Sequence, residues 1–334
     1  MPDPLLHLRI GARGEAVRDL QWRLGALGYG HAPDEPGVFG AATTAAVRAF
    51  QHDRGLQVDG VVGRHTWASL VESGFALGDR LLYFRQPMVR GDDVAELQRR
   101  LNSLGFDARR VDGIFGGDTH RALVDFQRSS GLVADGVCGS STITAFDRVV
   151  PLADGSVAGA RDRDELRHRP YGLGGRRVFV AVPSGFSVVG DAVVRGLGGA
   201  GAVAVLDSSG DDESMLARAA NAFRADLCIW LRNTVEGAPH CLYFETPGFR
   251  SEAGLVAATA IRDAVAPVLG ADLAVAGRAY PILRETTMAA VVCELVAEGD
   301  AHALAMVVRH SGELGRAVVT GIRRAFEPTE APAP

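Results

Sequence analysis

Residues Gly14–Gly28, reading G-E-A-V-R-D-L-Q-W-R-L-G-A-L-G, return as G-D-D-V-A-E-L-Q-R-R-L-N-S-L-G over Gly91–Gly105, an offset of 77. A second block, F-G-A-A-T-T-A-A-V-R-A-F-Q ending at Gln51, returns as F-G-G-D-T-H-R-A-L-V-D-F-Q ending at Gln127, an offset of 76. A third, G-L-Q-V-D-G-V-V-G from Gly55, returns as G-L-V-A-D-G-V-C-G from Gly131. One residue separates the two offsets, and the Gly30–Pro36 turn is where it is expected. Self-similarity at a fixed period means repeated small units, each with its own supersecondary structure.

The blocks read as helices and turns. Val17, Leu20, Leu24 and Leu27 recur at helical spacing, as do Val94, Leu97, Leu101 and Leu104. Gly28 and Gly105 stand where each helix must stop, since glycine adopts the left-handed cap conformation cheaply. Asp59-Gly60 and Asp112-Gly113 are turn dipeptides. Shorter helices are expected over Thr43–Gln51 and Thr119–Gln127, then over Thr66–Val71 and Thr142–Asp147. Each unit is therefore expected to be a three-helix bundle, over 8–72 and 84–149.

From Pro151 to Gly175 the texture changes to Gly, Asp and Arg, with D-R-D-E-L-R-H-R-P near the middle. Alternating charge without apolar spacing predicts a solvated linker, over 150–175. Beyond it, Arg177–Val182, Ala202–Leu206, Asp226–Leu231, Cys241–Phe244 and Ala289–Leu295 read as buried strands. Glu213–Phe223 and Glu252–Leu269 read as helices. One long helix is expected over Ala301–Phe326, with Leu304, Val307, Val308, Val318, Ile322 and Phe326 on its apolar side. Strands alternating with helices predict a doubly wound α/β domain over 176–326. The tail 327–334, E-P-T-E-A-P-A-P, is too polar and proline-rich to continue the helix and is expected to be disordered.

At 334 residues, several domains are required. The formal net charge is −5, with no basic stripe, so nucleic-acid binding is not expected. No apolar run reaches the ~18 residues of a membrane span. The N-terminus lacks the basic and apolar regions of a secretory signal, which predicts a cytoplasmic protein. Cys138, Cys228, Cys241 and Cys293 lack C-x-x-C spacing and read as buried free thiols.

The repeated blocks resemble the peptidoglycan-binding-domain-1 family, in which V-x-x-L-Q-x-x-L, D-G-x-F-G and F-Q recur in that order. Repeat 1 departs at Glu35-Pro36-Gly37. The resemblance implies binding of peptidoglycan fragments, while the Leu, Phe and Gly of the blocks read equally as core and turn residues. The second half resembles the amidase-3 family of zinc N-acetylmuramoyl-L-alanine amidases. That resemblance rests on Ala225-Asp226-Leu227 and on L-R-E-T-T-M-A-A-V-V-C-E-L from Leu283. It implies that Arg284 and Glu294 stand at the family's Arg and catalytic Glu.

The metal chemistry is altered. Such an amidase holds zinc with two His and one Glu and leaves a position open for water. The ion activates that water and polarises the scissile carbonyl. Where the family has D-P-G-H, this chain reads P-S-G-F, with Phe186 at the first ligand position. Where the family has S-I-H-A-N, it reads I-W-L-R-N, with Leu231 at the second. The segment V-V-G-D-A-V-V-R-G-L offers only Asp191 as a carboxylate. Neither Phe nor Leu has a lone pair to donate, so no cofactor is expected and Glu294 reads as a remnant. His240 and Cys241 are neighbours on one strand and face opposite ways, which argues against a relocated metal site. Ser184 lacks a G-x-S-x-G frame, and G-L-G-G-A-G from Gly196 lies at a helix end rather than at a phosphate-binding N-terminus.

Together these features resemble actinobacterial cytosolic amidase homologues that control peptidoglycan precursor synthesis. The resemblance implies phosphorylation-dependent activation of UDP-N-acetylglucosamine 1-carboxyvinyltransferase. It also implies contacts with a Ser/Thr protein kinase, a forkhead-associated protein and the lipid II flippase. Thr329 is the tail's only hydroxyl and the candidate phosphosite. Two alternatives stand beside this reading: an active amidase, which would carry zinc, and a peptidoglycan-binding scaffold.

Overall fold

Four buried glutamines organise the first half of the chain. The computed structural model describes residues 7–148, 172–210, 212–234, 238–247 and 249–327. Repeat 1 consists of α1 (Glu15–Ala26), α2 (Ala41–Asp53) and α3 (Arg64–Glu72). Repeat 2 consists of β1 (Leu82–Tyr83), α4 (Asp92–Ser103), α5 (Gly117–Ser129), β2 (Val137–Cys138) and α6 (Ser140–Arg148). Each repeat closes over its own apolar core. Val17, Leu20, Leu24, Val47 and Phe50 fill the first, and Val94, Leu97, Leu101, Leu123 and Phe126 fill the second. The second core also takes in Leu82 and packs Leu77 against it, so repeat 2 draws on residues before 84.

The Asp-Gly dipeptides are pinned from inside. Gln98 Nε2 donates to Asp112 Oδ1 at 2.8 Å, to the Ile114 carbonyl at 3.1 Å and to Thr119 Oγ1 at 3.0 Å, while its Oε1 accepts from Gly113 N at 2.9 Å. Gln51 binds Asp59, Val61, Thr66 and Gly60 in the same manner. Gln127 does so with Asp135, Val137, Thr142 and Gly136. Gln21 repeats the device with Val38, Thr43 and Gly37; the Glu35 carbonyl, at 3.3 Å, stands in for the missing aspartate. An amide is suited to this place because it carries donors and an acceptor on one planar group. The altered Glu35-Pro36-Gly37 turn therefore keeps the same inner key. Gly37 (φ 80°), Gly60 (φ 75°), Gly113 (φ 68°) and Gly136 (φ 71°) all take the left-handed conformation that the turn requires.

The two repeats lie in one compact unit and the α/β domain in a second. Its elements are β3 (Arg177–Ala181), α7 (Ser187–Gly199), β4 (Val203–Asp207), α8 (Glu213–Phe223), β5 (Leu227–Thr234), β6 (His240–Thr246), β7 (Phe249–Arg250), α9 (Glu252–Leu269), β8 (Ala274–Arg278), α10 (Pro281–Glu285), β9 (Ala289–Ala297), α11 (Ala301–Arg309) and α12 (Ser311–Ala325). The sheet order is β4-β3-β5-β9-β6-β7, with β8 also on β6. β4, β3, β5 and β9 run parallel to one another, whereas β6 is antiparallel to β9. The sheet is thus mixed.

Helices cover both faces, as a doubly wound domain requires. α7, α9 and α12 pack together on one face, and α8 and α10 lie on the other. α12 approaches its neighbours at backbone distance. A Cβ on Gly321 would lie 2.5 Å from Ile261 Cα, and one on Gly315 would lie 2.6 Å from Ala192 Cβ.

Two expectations are corrected, and one strand is added. The single helix over Ala301–Phe326 is two, parted at His310. The break precedes Ser311-Gly312, two weak helix formers. Val308 is 39% exposed, so the apolar residues before and after the break do not form one stripe. Ala202–Leu206 is an edge strand, not a buried one: Val203 and Val205 are exposed. β8 was not foreseen, because A-V-A-G-R is poor in β-branched and aromatic residues. Most of the 150–175 segment and Thr329 lie outside the described residues.

Candidate functional site

Residues of one strand point alternately to the two sheet faces, and this alternation divides the candidate residues. Phe186 closes a short 3-10 turn (Ser184–Phe186) directly after β3. Leu231 lies on β5. Both are fully buried, and both belong to the apolar cluster on the α7–α9–α12 face, with Val182, Val189, Cys293 and Leu295. Asp191 lies on the solvent side of α7. Ser184 is likewise exposed.

Glu294 faces the other way. It lies beside Arg232 in the parallel β5–β9 register, one residue past Leu231 and its partner Cys293. Arg232 Nη2 is 3.1 Å from Glu294 Oε1, and Arg232 Nη1 is 3.4 Å from Glu213 Oε1 at the start of α8. One guanidinium therefore serves two carboxylates, and all three groups are largely buried. Its carbon also stands 4.6 Å from the Trp230 ring centroid and 5.3 Å from that of Tyr280, so aromatic faces supply further cation–π attraction. Glu213 Oε2 accepts from Ile282 N of α10 at 3.4 Å. Asn221 fastens the same seam: its Nδ2 donates to the Glu285 carbonyl at 2.9 Å, and its Oδ1 accepts from Thr287 N at 2.9 Å. Arg284 lies in the last turn of α10, half-buried.

Burial raises the Glu213 carboxyl to about 7; the Arg232 cation opposes the rise, and Glu294 and Glu285 add to it. On β6, His240 stands opposite Glu294 and Cys241 opposite Cys293. The two thiols are 3.9 Å apart in the apolar core. The Cys293 thiol is held well above its usual range, by its contact with Cys241 and by burial. Burial alone pushes Cys228 up to about 12. His240 and Cys241 thus occupy opposite faces, as the strand period requires.

Zinc does not fit this arrangement. The two histidine positions carry hydrocarbon, Asp191 points to solvent, and Glu294 lies across the sheet from Phe186 and Leu231. Among the described residues, no group of three or more His, Cys, Asp or Glu side chains is placed to hold a metal ion. The polar side of the sheet is an ion-pair lock joining β5, β9 and α8.

Arg232 and Glu213 were not singled out from the sequence. A signal was present: arginine inside the apolar run I-W-L-R-N needs a buried partner, because an arginine is almost never fully buried unpaired. Nothing local identified Glu213, 19 residues upstream, as that partner.

Residues 13–70 and 90–146 match the family described as putative peptidoglycan binding domain. The chain is 40% identical over 196 residues to N-acetylmuramoyl-L-alanine amidase CwlM of Mycobacterium tuberculosis, covering 54% of this chain and 48% of that protein. It is 31% identical over 158 residues to N-acetylmuramoyl-L-alanine amidase CwlL of Bacillus licheniformis, covering 40% of this chain and 43% of the relative. The chain thus spans about half the length of these relatives. Among solved structures, it is similar to the N-acetylmuramyl-L-alanine amidase Ami1 of Mycobacterium abscessus, at 16% identity and a TM-score of 0.40, over 46% of this chain and 100% of that one. The chain is a CwlM-like amidase homologue with two peptidoglycan-binding repeats ahead of an α/β domain. Among the described residues, no helix is long and apolar enough to cross a membrane.

Proposed function

We propose that this chain is a non-hydrolytic amidase homologue that acts in the cytoplasm as a regulator of peptidoglycan precursor synthesis. The observation that supports this reading is the placement of Phe186 and Leu231 in the apolar core while Glu294 is tied to Arg232 on the opposite face. A hydrolase of this type needs a metal-bound water beside its general base. Here the base's carboxylate accepts an ion pair instead, and the ligand positions offer no donor atoms. With hydrolysis removed, the fold retains two glycan-binding-type repeats and a folded surface for protein contact.

The regulated enzyme in this reading is UDP-N-acetylglucosamine 1-carboxyvinyltransferase, with activation dependent on phosphorylation by a Ser/Thr protein kinase. Thr329 is the tail's candidate phosphosite, because a phosphate beside Glu327 and Glu330 adds about −1.5 to −2 charges and favours a basic partner surface. A forkhead-associated protein and the lipid II flippase are the further partners. The competing reading, an active amidase, draws on the names of the relatives.

One set of assays separates the two. The purified chain is measured for bound zinc, for release of peptide from muropeptides, and for stimulation of the carboxyvinyltransferase before and after kinase treatment. The proposal expects no zinc, no release, and stimulation that depends on the phosphate and is lost in Thr329→Ala. About one zinc per chain, with hydrolysis abolished by Glu294→Ala, would establish the amidase.

A further inference from the structure

Trp22 projects from α1 with 68% of its surface exposed. The α1 stripe that builds the core consists of Val17, Leu20, Gln21 and Leu24, so the Trp22 indole contributes little to folding. Beside it, the Arg23 guanidinium carbon lies 6.0 Å from the Trp22 ring centroid and 5.7 Å from that of Trp67 on α3. Asp19, one turn earlier, holds Arg23 Nε at 3.0 Å. Trp67 is half-buried against the core of repeat 1, so one exposed indole, one half-buried indole, a planar cation and a carboxylate share one patch.

The second repeat shows that the fold does not need this patch. At the matching positions stand Glu96, Arg99, Arg100 and Ile143. The ion pair survives as Arg100 Nε to Glu96 Oε1 at 2.9 Å, and so do the helices and the glutamine-pinned turns. Both aromatic rings are gone. Repeat 1 therefore exposes an indole that the same scaffold does without, and an exposed tryptophan lowers solubility unless it is used.

The chemistry of the patch selects its ligand. An indole face offers flat apolar contact to the axial C–H groups of a pyranose ring. The guanidinium and the carboxylate beside it offer directional donors and acceptors to equatorial hydroxyls. Asp19 is paired with Arg23 and Glu15 with Arg18, so the patch has no surplus cation to hold a phosphate. An amino-acid side chain has no comparable ring of hydroxyls.

We propose that Trp22, Arg23 and Trp67 form a saccharide-stacking platform, and that the first repeat rather than the second carries glycan recognition by this chain. The inference rests on the peptidoglycan-binding part of the reading above and is independent of the hydrolytic question.

The test uses the full chain and three probes: the N-acetylglucosamine–N-acetylmuramic acid disaccharide, the stem tetrapeptide alone, and the joined muropeptide. The chain has three tryptophans, two of them on the platform, so indole emission reports on the site while calorimetry gives affinity. The disaccharide is expected to bind and to shift the emission. Trp22→Ala should weaken disaccharide binding at least about tenfold, equivalent to ~1.4 kcal/mol. Arg23→Lys, which keeps the charge and loses the planar fork, should weaken it several-fold. Arg99→Ala on repeat 2 should leave it unchanged. Equal disaccharide affinity in wild type and Trp22→Ala overturns the platform while leaving glycan binding intact. A tetrapeptide that binds as tightly as the muropeptide overturns it in favour of peptide recognition. Failure of every probe to bind wild type removes both this inference and the glycan-binding reading beneath it.

Discussion

Arg232 and Glu294 are register partners on adjacent parallel strands, and their side chains meet at 3.1 Å in a place with little access to water. Removing one member of a buried pair leaves an uncompensated charge, at a cost of roughly 3–5 kcal/mol. Arg232→Met should therefore destabilise the α/β domain by that order in urea unfolding. The double variant Arg232→Met/Glu294→Met should lose less than the sum of the two single variants. Additive losses would mean that the two charges are not coupled.

Glu213 gives stability a pH dependence. Its carboxyl titrates near 7 in the folded chain, against an ordinary value of 4.5. The folded form then holds a proton that the unfolded chain releases, so the stabilisation is complete below the ordinary value and is lost as pH rises through about 7. The loss is bounded by roughly 3.5 kcal/mol, at ~1.4 kcal/mol per unit. Glu213→Gln imitates the protonated side chain and should flatten this slope between about pH 5 and 8. An unchanged slope would place the titration elsewhere.

The glutamine keys should be as important as core leucines. Gln98→Ala leaves Gly113 N–H and Thr119 Oγ1 short of a partner in the interior of repeat 2. Each unsatisfied buried group costs about 1–3 kcal/mol. The expected loss is at least about 2 kcal/mol, read from denaturant midpoints, and Gln127→Ala should match it. A loss below about 0.5 kcal/mol would show that the turn holds itself.

The contact of α12 with α9 is set by the absence of a side chain. Because a Cβ on Gly321 would lie 2.5 Å from a backbone carbon, Gly321→Val should force the helices apart and cost several kcal/mol. Gly312→Ala, where the nearest neighbour is the far end of Arg316, should be neutral or slightly stabilising. Thermal unfolding of the two variants distinguishes close helix approach from a general intolerance of larger residues in α12.

Much of this architecture was legible in the sequence, because apolar spacing along one element reports directly on that element. α8 and α9 span Glu213–Phe223 and Glu252–Leu269, the ranges expected from the sequence. The failures are non-local. Whether Ala202–Leu206 is central or at an edge depends on which strands lie beside it, which no local pattern encodes. The loss of ligand chemistry at Phe186 and Leu231 was readable as residue identity, but their membership in one apolar cluster was not. The Arg232–Glu213 contact joins a strand to the start of the preceding helix. Only the packing of α8 on the sheet creates it.

The glutamine keys have a consequence for how the two repeats diverge. Each turn takes its shape from a side chain inside the fold, so the outer helix surface takes no part in specifying it. Substitutions there are free of the geometry beneath. That separation lets one copy present tryptophan where the other presents arginine, on frames pinned by the same glutamine contacts. Duplication has given the chain two interchangeable mounts, and the difference between them resides in what is fastened to the outside.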